Sequence, residues 1–118
     1  MPILNFQKQF AAAVESGEKS QTIRAPRKHP IRVGDTLYLY TGLRTKSVRK
    51  LGEAKCRSVV RVFIPRGGVH LVVDNKELLY LDQLNPFAQS DGFEDWYEMV
   101  RWFEKNHGLP FVGMLIKW

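Results

Sequence analysis

Cysteine is almost missing from this chain. Its 118 residues include only Cys56, so no internal disulfide can form and the fold must rest on packing. Metal-ligand spacing is missing too: Cys56, His29, His70 and His107 are scattered, with no pair at the separation zinc sites use. No metal or other cofactor is expected. No apolar run approaches the roughly 20 residues of a membrane-spanning helix. The opening MPILNFQKQF also lacks the basic-then-apolar layout of a leader, and a cytoplasmic protein without a membrane partner is expected. Neither GxxxxGK[ST] nor GxGxxG behind a strand occurs, and no serine sits in a nucleophile elbow. Phosphate-loop, dinucleotide and serine-hydrolase chemistry are thereby set aside.

Acidic residues are scarce in one region. Residues 19–66 hold thirteen of the eighteen Lys and Arg against only Asp35 and Glu53, which is +11 there and −5 elsewhere within a net charge of +6. Such asymmetry concentrates positive potential on one side of a small domain, the electrostatic footprint of a phosphate-bearing partner. A solubilising charged surface is the alternative. Hydrophobic residues make up 44% and charged residues 25%, a composition that folds as one domain over residues 1–118, expected to be a monomer.

Periodicity places the elements. Phe6, Phe10 and Val14 recur at helical spacing, with Asn5 as a cap and Gly17 as a stop, so a helix is expected from about Phe6 to Ser16. Gln21–Arg24 alternates as a short strand, with Thr22 and Arg24 sharing a face if Ile23 points to the core. Further strands are expected over Thr36–Thr41, Glu53–Ile64, Val69–Asp74 and Lys76–Leu81, joined by basic loops and turns. After a polar connection, DGFEDWYEMVRWFEKNHG reads as a helix with Phe93, Trp96, Tyr97, Val100 and Phe103 on one face. Phe111–Trp118 closes as an apolar strand. The order predicts an α+β fold with a mostly antiparallel sheet, curled into a small barrel with flanking helices.

The stretch GEKSQTIR carries the available chemistry. A threonine hydroxyl becomes a nucleophile when a base takes its proton, and a lysine serves when burial or a nearby cation lowers its pKa. Lys19 and Thr22 converge only if Lys19 lies in the turn before the strand. Otherwise Lys19 is solvated, Thr22 is an ordinary strand residue and Arg24 pairs with an acid. Asp91 likewise has two readings: a helix cap with Glu94 as its capping-box partner, or a site acid. Tyr38 and Tyr40 are either stacking platforms or packing.

GEKSQTIR, then VGDTLYLYTG, LGEAKCRSVVRV, AQSDGF before a helix and PFVGMLIKW at the end together resemble an ASCH domain of the PUA-like superfamily, in order from Phe6 to Trp118. The resemblance implies a small β-barrel whose cleft takes RNA, modified bases or nucleosides. Within that family the chain is similar to small bacterial amidohydrolases that deacetylate N4-acetylcytidine. Their pattern carries over to Gly17, Lys19, Thr22 and Arg24, with lysine as base and threonine as nucleophile. Asp91 stands where they have a glutamate. The leading expectation is a binding module for RNA, single-stranded nucleic acid or a modified nucleoside. In it Lys19, Thr22, Arg24 and Asp91 line the cleft, Tyr40 is a further nucleic-acid contact, and Arg27, Lys28, Arg44, Lys46 and Arg49 hold phosphates. The alternatives are an amidohydrolase using Lys19, Thr22 and Asp91, and a protein-interaction domain with an inactive cleft.

Overall fold

Alternating leucine and tyrosine make Thr36–Thr41 a strand in the computed structural model, which describes residues 2–118, with Leu37 and Leu39 buried and Tyr38 and Tyr40 on the opposite face. In chain order the elements are β1 (Ile3–Phe6), α1 (Lys8–Ser16), β2 (Gln21–Arg24), β3 (Thr36–Thr41), β4 (Arg49–Lys55), β5 (Ser58–Ile64), β6 (Leu71–Val73), β7 (Lys76–Leu78), α2 (Leu81–Ser90), α3 (Trp96–Asn106) and β8 (Phe111–Lys117). The strands form two sheets, ordered β1-β3-β4 and β2-β8-β5-β6-β7. Among the described residues only the β1–β3 pair is parallel; the other pairs are antiparallel. The fold is thus α+β with mostly antiparallel pairing, and strand pairing among the described residues does not close into a ring.

One apolar cluster joins the two sheets and the helices, drawing on Phe6, Phe10, Leu37, Ile64, Met99, Phe103 and Leu115 among others. Burying these side chains contributes about 1.5–3 kcal/mol each before conformational entropy is counted. No helix among the described residues is long and apolar enough to cross a membrane.

Several boundaries differ from expectation. Glu53–Ile64 is not one strand. It breaks at Cys56 and Arg57, where Cys56 N–H donates to Asp35 O and Arg57 N–H donates to Lys117 O, so the chain passes from one sheet to the other. Asn5 does not cap the first helix. It lies in β1, and α1 starts after Gln7 without a side-chain cap. The supposed polar connection contains α2, and the strand expected to reach Leu81 ends at Leu78. The last helix starts at Trp96 rather than Asp91. Asp95 caps it by accepting from Glu98 N–H at 2.8 Å, which turns Met99 inward and leaves Tyr97 59% exposed.

Candidate functional site

The Lys19–Thr22 question is settled by the turn between α1 and β2. Gly17 ends the helix in the left-handed region, φ 87°, where a Cβ would be strained. Lys19 N–H then donates back to Ala13 O at 2.9 Å. Lys19 therefore lies outside the strand register, and its side chain lines the same cavity as Thr22 despite the three-residue spacing. Thr22 and Arg24 share a strand face as expected: Arg24 Nε–H donates to Thr22 Oγ1 at 3.0 Å. A second guanidinium donor reaches Asn5 O at 2.8 Å, and the group lies 4.8 Å from the centre of the Phe6 ring. Three contacts hold Arg24 in one orientation.

Asp91 is not an N-cap. It follows the last turn of α2, its N–H bonding Phe87 O and Ala88 O, and its side chain points into the interior. Lys19 Nζ donates to the Asp91 carbonyl at 2.5 Å and to Asp91 Oδ1 at 3.2 Å. Gln21 Nε2 donates to the same carboxylate oxygen at 3.4 Å. A cation at the carbonyl end of a helix is electrostatically favoured. Gly92 permits the approach: its φ is +97°, and a Cβ there would lie 2.9 Å from the Phe10 ring and 3.2 Å from Lys19 Cδ.

The resulting cleft has a volume of about 260 Å³, slightly below the range typical of drug-sized ligands. Phe10, Phe93 and Trp102 form an aromatic wall, the Phe10 ring meeting Phe93 at 5.3 Å and Trp102 at 6.1 Å between centroids. Trp102 is fixed by donating from Nε1 to Gln7 Oε1 at 3.1 Å. His107 stands at the rim.

Burial dominates the electrostatics. It lowers the Lys19 ammonium pKa against the opposing pull of Asp91, and Arg24 lowers it further. Burial also raises the Asp91 carboxyl, against the stabilising effect of Lys19, Gln21 and Arg24. Arg24 is brought down to about 10, by burial first and by Arg27 as a lesser cause, and stays charged at neutral pH. The site thus holds a lysine closer to deprotonation than a solvated one, in the same cavity as a hydroxyl and a fixed cation.

Of the expected site residues, Lys19, Thr22, Arg24 and Asp91 come together in the cleft. Tyr40 does not line it. Strand register places Tyr40 and Tyr38 on the outer face of the smaller sheet, opposite the buried Leu37 and Leu39. Arg27 lines adjoining cavities, and Lys28, Arg44 and Lys46 are exposed. Arg49 pairs with Glu15 at 2.5 Å, both side chains about half exposed. The loop carrying Arg44 and Lys46 is nonetheless tied to the cleft's edge, because Leu43 N–H donates to Oδ1 of Asn5, a cleft residue. Sequence reasoning missed Phe10, Phe93 and Trp102 as cleft residues, and Gln21 as the second side-chain donor to the Asp91 carboxylate. The only sequence signal for the three aromatics was their place in two expected helices, which packing explains equally well.

No protein family, curated protein or solved structure matches the chain.

Proposed function

We propose that the cleft receives one nucleobase, either in a modified nucleoside or in single-stranded RNA. The observation that carries this reading is the buried Lys19–Asp91 pair, braced by Gln21, lining a cavity walled by Phe10, Phe93 and Trp102. A planar ring with donors and acceptors on its edge needs stacking and edge pairing together, and these groups offer both. The likeness of the motifs to ASCH domains supports the same reading. So does the meeting of the two sheets at Phe6–Trp118 and Arg24–Asn5, which agrees with a PUA-like barrel arrangement. Titration of labelled single-stranded RNA and of N4-acetylcytidine is expected to show binding that Lys19→Ala removes. Absence of binding by both ligands at low salt refutes the reading and favours a protein-interaction domain.

A second reading, hydrolysis of an N-acyl group on a cytidine, is favoured by one specific observation. Asp91, although a methylene shorter than glutamate, still reaches Lys19 at 3.2 Å. In this chemistry neutral Lys19 takes the Thr22 proton as Oγ1 attacks the acyl carbon, and Arg24 faces the developing oxyanion. Lys19 then returns the proton to the departing amine, and water releases the acid from the Thr22 ester. Chromatography of N4-acetylcytidine incubated with the protein tests this. Released cytidine that disappears in both Lys19→Ala and Thr22→Val is expected; no release, or release unchanged in the variants, eliminates it.

A further inference from the structure

The cleft does not end at Arg24. Arg24 also lines a second cavity of about 240 Å³, floored by Val59, Met114 and Ile116 and rimmed by Pro26, Arg27 and Pro30. Arg27, Pro30 and Ile31 continue into a third cavity of about 580 Å³, which His29, Thr36 and Tyr38 also line. Strand register explains the first junction. Thr22, Ile116 and Val59 are partners across β2, β8 and β5, as are Arg24, Met114 and Arg61. Partners in neighbouring strands project to the same face, so the apolar floor extends the face of Thr22 and Arg24, starting about 4.8 Å away.

We propose that the three cavities form one track for a single-stranded oligonucleotide, one base entering the cleft and the following nucleotides crossing the Met114 floor to the Tyr38–His29 cavity. This rests on the base reading above and adds the substrate class, polymer rather than free nucleoside. The middle floor has no side-chain donor or acceptor, so it suits the flat face of any base rather than the edge of a particular one. Each junction carries a cation. Arg24 stands between the first and second cavities and Arg27 between the second and third, where a backbone joining successive bases would place phosphates. The two guanidinium groups are near enough for Arg27 to lower the pKa of Arg24, a repulsion that a bound phosphate relieves. The one acid in the third cavity, Asp35, accepts from Arg32 N–H at 2.9 Å. A free nucleoside would occupy the cleft alone.

Calorimetry with homopentameric RNAs, the four nucleosides, N4-acetylcytidine and a neutral pentapeptide tests the track in the full chain. The pentamers are expected to bind at least about tenfold more tightly than the best nucleoside. Arg27→Ala and Met114→Glu are each expected to reduce that ratio several-fold. Lys105→Ala, which removes an equal charge from the exposed end of α3, leaves the ratio unchanged. Equal affinity for pentamer and nucleoside overturns the track and leaves the base reading standing, whereas binding of neither overturns both. An equal effect of Lys105→Ala and Arg27→Ala, or tighter binding of the peptide than of RNA, also overturns the track.

Discussion

Lys19 and Asp91 are charged groups taken out of water together, with side chains 4% and 5% exposed. Removing one partner leaves the other buried and uncompensated, so Asp91→Ala is expected to cost about 3–5 kcal/mol in urea unfolding. The apolar pair Lys19→Met with Asp91→Leu should recover that loss while ligand binding stays abolished, the pattern of a site retained for function. The pH dependence follows from the lowered Lys19 pKa. Between its folded value and 10.5 the unfolded chain binds the extra proton, so this group's contribution to stability rises with pH across that window. Lys19→Met should remove the rise. Gly92→Ala is expected to cost about 1–3 kcal/mol, because its Cβ must displace the Phe10 ring or the Lys19 stem while the backbone holds φ at +97°. At this scale Lys19, Thr22 and Arg24 were legible as a group from local spacing, whereas Asp91, 72 residues away, was joined to them only through the family resemblance.

The junction of α2 and α3 shows why helix boundaries were harder to read. DGFE and DWYE, starting at Asp91 and Asp95, both fit the acid-to-glutamate spacing of a capping box. Asp95 takes the cap, and Phe93, which a longer helix would have carried on its face, instead fills the space beside Phe10 from a nonhelical turn. Asp91 is thereby released to meet Lys19. Pro86 lies inside α2 although a proline lacks the N–H an interior helical position uses, so the segment carries a local signal against the helix it forms. Asp95→Ala should lower stability by about 1 kcal/mol, measured by thermal or urea unfolding. The effect of Asp91→Ala should be clearly larger, and equal losses would contradict the assignment of the cap to Asp95. Strands with plain alternation, Thr36–Thr41 and Gln21–Arg24, kept their expected limits.

Over the whole molecule the basic segment spans the cleft and the cavities that continue from it, with Arg24 and Arg27 at the junctions and the Arg44–Lys46 loop tethered through Asn5. RNA affinity is accordingly expected to fall linearly in log–log form as salt rises, with a slope of roughly −0.7 per phosphate neutralised, and Arg27→Ala should flatten it by about that amount. A salt-independent affinity would argue against phosphate contacts. The amino-acid order alone determined the charge asymmetry, the alternating strands and the Lys19–Thr22–Arg24 spacing, because these depend on neighbours a few residues apart. Tertiary structure alone decided that Asp91 faces Lys19, that Phe10, Phe93 and Trp102 wall one cleft, and that a second cavity shares Arg24 with it and a third shares Arg27 with the second. Those contacts join segments remote in the chain, and only the packing of two sheets around a shared core brings them together.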